Sequence, residues 1–305
     1  MRQGDARPPT RNAPPRSRRV RAVNGTFLGA KPGTAGDAVV LGVPFDHGSI
    51  HSAGCAQAPA TLRSLTAEER AADGIWDFAT RSRVLSKMRL SDFGDVAYGA
   101  SFPRTGYFGA VESAAARIAR RAILVGLGGD HSVTLPLARG VARAHGPLQI
   151  VQLDAHHDYA PVRPGRMPTH SNFVTFLARV RAIRRIVQVG VRGYSSYLPR
   201  RPARVVDVRL GALAAALDPG VPTYLTIDTD AFDPSIAPAV VHPLPGGLAW
   251  SDLDIVLDAI FERGCPIVAV DWTEYNPMLD RSSHPTGMAI VFALIRILAR
   301  LEKAH

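Results

Sequence analysis

Three short stretches of this 305-residue chain concentrate side chains able to bind metal ions. They are Gly128-Gly129-Asp130-His131-Ser132, Asp154-Ala155-His156-His157-Asp158 and Asp228-Thr229-Asp230-Ala231-Phe232-Asp233-Pro234. Each follows directly on an apolar run, where an unpaired carboxylate or imidazole is costly to bury. Asp154, His156 and Asp158 share one parity, as do Asp228 and Asp230, so an extended chain projects each set to one side. With His131 these groups converge on one crevice and supply what two divalent cations about 4 Å apart, bridged by carboxylates, require. Oxygen-rich ligation with one His per metal and no Cys suits Mn²⁺ better than Zn²⁺. A single Asp-x-His-x-Asp reads equally as a solvated loop or a helix cap, and a single Asp-x-Asp is weaker. Three clusters at strand ends make a joint signal that neither alternative explains.

The elements that must position these groups follow from hydrophobic pattern. Strands are expected at Ala38–Val43, Ile123–Leu127, Leu148–Leu153, Ile186–Val191, Val221–Ile227 and Ile267–Val270. Each is almost wholly apolar, as in strands covered on both faces of a parallel sheet. Segments of helical period lie between them at Ala58–Ala72, Phe108–Arg121, Thr134–Ala144, Asn172–Ala182, Gly211–Leu217, Ser251–Arg263 and Ala289–Lys303. This alternation predicts an α/β fold, a three-layer α/β/α sandwich with a mainly parallel sheet. Ligands of such sheets sit at the carboxyl ends of strands, which is where the three clusters fall.

Composition narrows the class further. With 46% apolar residues and mean hydropathy of +0.03, the chain reads as a globular protein with a sizeable core. No apolar run reaches the ~18 residues needed to cross a bilayer; the longest, Ala289–Leu301, is broken by Arg296 and Arg300. Of the net charge of +10, residues 1–36 contribute seven Arg and one Lys against one Asp. Their Arg and Pro content predicts a disordered or partner-wrapping arm, with one catalytic domain over residues 37–305. The body is nearly balanced and shows no basic-aromatic stripe, so it is not expected to bind nucleic acid. No apolar segment follows Arg18-Arg19, so no secretory signal is expected. Cys55 and Cys265 sit in no ligand spacing, which fits a reducing, cytoplasmic setting.

Gly-Gly-Asp-His-Ser, Asp-Ala-His-x-Asp and Asp-x-Asp-x-x-Asp-Pro, in that order, resemble the ureohydrolase family of arginases and agmatinases. The resemblance spans roughly residues 37–300. It extends to Gly42-Val43-Pro44-Phe45-Asp46, Pro245-Gly246-Gly247-Leu248 and Glu274-Tyr275-Asn276-Pro277. It implies an arginase-like fold, two Mn²⁺ per subunit and a homo-oligomer, trimeric or hexameric. It implies His131, Asp154, Asp158 and Asp228 on one metal, and His156, Asp154, Asp228 and Asp230 on the other. A metal-bridging hydroxide, oriented by Asp158, would attack a guanidinium carbon and release urea and an amine. Glu274 would pair with the substrate guanidinium, and His170 would carry a proton to the leaving amine. Asp130 reads as a supporting carboxylate, Asp233 as a turn residue, and His157 as pointing away from the metals. Asp271 is a further candidate after the strand at Ile267–Val270.

Within the family the chain leans to the agmatinase branch, through His131-Ser132-Val133-Thr134-Leu135-Pro136 and Val189-Gly190-Val191-Arg192-Gly193. Ala160 and Gly193 replace residues that arginases use to hold a free amino acid. Other positions depart from agmatinases. Ala239-Val240-Val241-His242-Pro243 is bulkier than the family's small-residue segment and adds an imidazole. Arg163 and Arg166 could attract a carboxylate-bearing guanidine. The substrate expected is therefore agmatine or a related guanidino compound, with a guanidino acid or a larger guanidino metabolite as the alternative. A catalytically silent partner-binding subunit is disfavoured by intact ligand positions.

Overall fold

The computed structural model describes residues 25–49, 53–69, 74–78, 80–96, 98–99, 104–162, 165–194 and 198–304. Residues 1–24 of the basic arm, the end of the helix expected through Ala72, and Arg163 lie outside them.

In chain order the strands are β1 (Lys31–Pro32), β2 (Ala38–Gly42), β3 (Ile75–Asp77), β4 (Ser82–Val84), β5 (Leu90–Asp95) and β6 (Ile123–Leu127). They continue with β7 (Leu148–Leu153), β8 (Ile183–Val189), β9 (Val205–Val208), β10 (Thr223–Asp228) and β11 (Ile267–Thr273). The helices are α1 (Ala58–Leu65), α2 (Arg104–Ala119), α3 (Thr134–His145), α4 (Phe173–Leu177), α5 (Leu213–Ala216), α6 (Trp250–Glu262) and α7 (Pro285–Ala304).

Nine strands form one parallel sheet in the order β1-β5-β2-β6-β11-β10-β7-β8-β9, and β3 and β4 pair separately as an antiparallel hairpin. Because side chains alternate along a strand, the sheet feeds two cores. Val39, Leu41, Leu124, Ile150 and Tyr224 pack with α2, α3 and α4. Val40, Val125, Val151, Leu225 and Val270 pack with α6 and α7 on the opposite face. This is the α/β/α sandwich the periodicity predicts.

Two differences from the sequence reading have clear causes. Residues 25–36, read as part of the arm, belong to the fold. Phe27 and Leu28 are fully buried, and their amides donate to Asp92 Oδ2 and Thr66 Oγ1, both at 2.9 Å. β5 was not expected, because its sequence Leu-Ser-Asp-Phe-Gly-Asp lacks an apolar run. It is held by a buried ion pair, with Arg63 reaching Asp92 through Nε at 2.8 Å and Nη2 at 2.9 Å, and Asp95 through Nη1 at 2.5 Å. Among the described residues, no helix is long and apolar enough to cross a membrane.

Strands β6, β11, β10 and β7 are adjacent at the middle of the sheet. Their carboxyl ends therefore set His131, Glu274, Asp228 and Asp154 side by side, although the chain separates them widely.

Candidate metal centre and active site

Each strand-end aspartate turns the chain with its own side chain. Asp154 Oδ1 accepts the His156 amide at 2.6 Å, Asp228 Oδ1 the Asp230 amide at 2.8 Å, and Asp130 Oδ1 the Ser132 amide at 2.9 Å. These Asx turns replace the extended path assumed from residue parity, and they bring the groups together more tightly than a strand would. Thr229–Ala231 is a turn of 3-10 helix, and Asp158 takes a left-handed backbone conformation at φ 50°. Glu274 does the same at φ 60°. Neither is Gly or Asn, so both conformations carry backbone cost of the kind that collects at functional sites. At Gly129 the backbone passes so close to the Phe45 carbonyl that any Cβ would collide with it.

With one oxygen closing its turn, Asp154 and Asp228 aim the other at His131, whereas the second oxygen of Asp130 takes the Gly48 amide. His131 Nδ1 lies 3.0 Å from Asp228 Oδ2, 3.1 Å from Asp154 Oδ2 and 3.4 Å from Asp158 Oδ2. His156 Nδ1 lies 2.9 Å from Asp230 Oδ2 and 3.8 Å from Asp154 Oδ1. Two sets result, His131/Asp154/Asp228 and Asp154/His156/Asp230, each with ligand atoms within 4.8 Å of one another. Asp154 belongs to both. His157 joins neither; its Nδ1 accepts the Tyr159 amide at 3.1 Å. The Ser235 hydroxyl, with the amides of Ser235, Gly246 and Gly247 that Asp233 accepts, lowers its pKa.

The donor set suits divalent cations. Burial, with Asp230 and Asp154 alongside, pushes the Asp228 carboxyl well above its usual range. Burial and Asp154 do the same to Asp158. Carboxylates that resist ionising together in a dry site are stabilised as anions when cations replace their protons. The donors are oxygen and imidazole nitrogen with no thiolate, as a harder metal such as manganese prefers.

Beneath the cluster lies a polar row of which the sequence reading picked out only Asp271. His131 Nε2 is 3.0 Å from Thr226 Oγ1, which donates to Asp271 Oδ1 at 2.5 Å. Asp271 Oδ2 accepts from Tyr224 at 2.6 Å and Thr134 at 2.9 Å. Gln152 Nε2 donates to Asp154 Oδ2 at 2.6 Å, and Gln188 Nε2 to Gln152 Oε1 at 2.9 Å. Asp271, Thr226, Gln152 and Gln188 are register partners across β11, β10, β7 and β8. The signal was available: Thr226 precedes Asp228 by two residues and Gln152 precedes Asp154 by two. Each therefore lies on the same side of its strand as the ligand after it. Asp271 lies in this row, below the cavity.

Glu274 and His170 stand beside the cluster, with Glu274 Oε1 3.5 Å from His170 Nδ1. Burial opposes charge on both, yet their mutual attraction prevails, raising the His170 pKa and lowering that of Glu274. Glu274 also accepts the His131 amide at 2.8 Å, and Cys55 Sγ lies 3.8 Å from its Oε2. Asp130 accepts the Gly48 amide at 2.6 Å, and the Gly48 carbonyl receives the His170 amide at 3.2 Å. A cavity of about 210 Å³ opens over the carboxylates. Its walls are His156, His170, Ser171, Val240, Val241 and His242. Arg166 is exposed and does not line it. A larger groove between α6 and α7, about 420 Å³ and mainly apolar, has none of these groups.

A layered parallel sheet with His and Asp gathered at its central strand ends is the arrangement of a metal-using hydrolase. The chain belongs to the arginase family, the ureohydrolases, whose family model matches residues 36–299. Arginase 1, mitochondrial, of Oryza sativa is 30% identical over 306 residues, covering 91% of this chain and 85% of that protein. The mitochondrial guanidino acid hydrolase of Homo sapiens is 28% identical over 88% of this chain and 79% of its own. Among solved structures, proclavaminate amidino hydrolase from Streptomyces clavuligerus is similar with a TM-score of 0.79 and 25% identity. That match covers 92% of this chain and 98% of the other.

Proposed function

We propose that this chain is a manganese-dependent amidinohydrolase that cleaves the guanidino group of agmatine or a related small guanidine into an amine and urea. The observation that carries this reading is the pair of ligand sets sharing Asp154 beside the Glu274–His170 pair. His131, Asp154, Asp158 and Asp228 would hold one cation, and His156, Asp154, Asp228 and Asp230 the other. Two divalent cations there would supply Lewis acidity that makes water a nucleophile near neutral pH.

The chain's own groups do the rest. Glu274 is the receptor for the planar guanidinium fork. As the guanidinium arrives it takes the place of His170 on that carboxylate, leaving a protonated imidazole beside the substrate. Asp158 takes a proton from the attacking water as the water oxygen bonds to the guanidinium carbon, and that proton later leaves with the amine product. His170 then donates its proton to the departing amine nitrogen as the C–N bond breaks. Val240 and Val241 exclude bulk water from the cavity.

Similarity to the proclavaminate amidino hydrolase structure favours a second reading of the substrate, a larger guanidino-bearing acid. The buried free thiols of Cys55 and Cys265 support a reducing, cytoplasmic setting, and the family resemblance supports a homo-oligomer, trimeric or hexameric. The test is urea release by Mn²⁺-loaded protein, against a metal-stripped control, from agmatine, arginine, guanidinobutyrate, guanidinopropionate and guanidine. Metal-dependent urea from one or more of these is expected. A protein that binds no divalent metal and releases no urea would sink the reading.

A further inference from the structure

Two glutamines on neighbouring strands belong to neither ligand set, yet they lead to both aspartates of the Asp154–Asp158 segment. Gln152 on β7 and Gln188 on β8 are register partners and wholly buried. Gln188 Nε2 donates to Gln152 Oε1 at 2.9 Å, and Gln152 Nε2 donates in turn to Asp154 Oδ2 at 2.6 Å. The same Gln188 nitrogen donates to the His157 carbonyl at 2.8 Å. The backbone runs alongside as well. The Val189 carbonyl accepts the Asp154 amide at 3.1 Å, and the Ala155 carbonyl accepts the Arg192 amide at 2.9 Å.

The direction of this relay is fixed by its ends. A carboxylate stands at one end and a peptide carbonyl at the other, and both only accept. Turning either amide, or both, would set oxygen against oxygen. Gln188 therefore commits its nitrogen to two acceptors and leaves its Oε1 buried with no partner among the described residues. An orphaned buried acceptor is costly, so this amide is held in place by what its nitrogen does.

Both branches end on groups that face His131. Asp154 Oδ2, which takes the Gln152 hydrogen bond, lies 3.1 Å from His131 Nδ1. The His157 carbonyl belongs to the rigid peptide plane that leads into Asp158, so holding it restrains the left-handed φ of 50° there. Asp158 Oδ2 then stands 3.4 Å from His131 Nδ1. The oxygens of the other set are held elsewhere. Asp154 Oδ1 accepts the His156 amide at 2.6 Å, and Asp230 Oδ1 the Ala155 amide at 3.0 Å.

We propose that Gln188 is a positioning residue for one of the two cations, the one that His131, Asp154, Asp158 and Asp228 would hold. Acting through Gln152 and through the His157 carbonyl, it sets the direction of Asp154 and Asp158. The site at His156 and Asp230 depends on it far less. This assignment rests on the two-cation reading above and adds an inequality between the two sites.

The test titrates metal-stripped full-length protein with Mn²⁺ and reads the unbound ion by electron paramagnetic resonance. Wild type should bind two. Gln188→Met keeps the length of the side chain and removes its donors. It should bind one Mn²⁺ as wild type does and the other roughly 10- to 100-fold more weakly. Gln152→Met should do the same more mildly, since the bond to the His157 carbonyl survives. Asp230→Asn disables the other set, so its remaining cation reports the His131 set alone. Adding Gln188→Met to Asp230→Asn should weaken that remaining cation by the same factor. Should Gln188→Met fail to fold, Gln152→Met decides by the same criterion. Equal weakening of both cations, or two cations bound as in wild type, would overturn the assignment and leave the two-cation reading standing. A wild type that binds no Mn²⁺ would remove both.

Discussion

Asp154 uses its two oxygens differently: one closes a turn on the His156 amide, and the other faces His131. Because it belongs to both ligand sets, Asp154→Asn should lose both metals and lower activity by more than about a thousandfold. His170→Asn should instead lower turnover about 10²- to 10⁴-fold with metal content unchanged. Elemental analysis beside steady-state kinetics distinguishes the two, and metal loss in the His170 variant would contradict its proton-carrying role. The raised pKa values of Asp158, Asp228 and His131 set a sign for pH. A group raised on folding stabilises the metal-free fold below its unfolded pKa, about 4 for Asp and 6.5 for His. That stability disappears as pH climbs through the folded value. Metal-stripped protein should therefore lose stability as pH rises from about 4 toward neutral, while loss of competing protons strengthens metal binding. The gap in Tm between loaded and stripped protein should widen over that range, and a constant gap would argue against a shared proton and metal site.

Within the sheet, Thr226 and Asp271 set the rotation of His131 from the strands below. Thr226→Val keeps the shape of the side chain and removes the hydroxyl. It should weaken metal affinity about 10- to 100-fold, the usual effect of losing a partner behind a metal-binding imidazole; unchanged affinity would make the row a matter of packing alone. β6 and β7 were legible to the residue because each is a closed apolar run, and the clusters after them could be read for the same reason. β5 was hidden because Asp92 is buried on Arg63, a pairing that no local pattern announces. Thr226 and Gln152 looked like flaws in apolar runs, and only the register across strands gives them a purpose. The bends at Asp154 and Asp228 were missed because parity assumes a straight chain. The closeness of His242 to His156 and His170 depends on how a long loop returns over the sheet, which neither periodicity nor spacing encodes.

For the whole molecule, the boundary of the basic arm decides how it can be tested. Phe27 and Leu28 are fully buried, and burial of such side chains contributes about 1.5–3 kcal/mol each. Deletion of residues 1–36 should therefore lower the denaturation midpoint clearly, and by more than deletion of residues 1–24, which keeps Phe27 and Leu28. Equal effects would place the stabilising contacts elsewhere. The shorter deletion is thus the better control for nucleic-acid binding, since it removes the seven Arg of the arm and keeps the buried Phe27 and Leu28.

The strand order also bears on how the protein is made. β6 and β7 leave the ribosome early, yet they finish two strands apart, with β11 and β10 between them. A nascent chain ending before residue 223 has His131, Asp154, His156 and Asp158 but neither Asp228 nor Asp230, and the strands that belong between β6 and β7 are not yet made. Such a chain lacks one member of each candidate ligand set. Both sets would be complete only once β10 takes its place beside β7, so metal uptake is expected to follow assembly of the sheet instead of starting it.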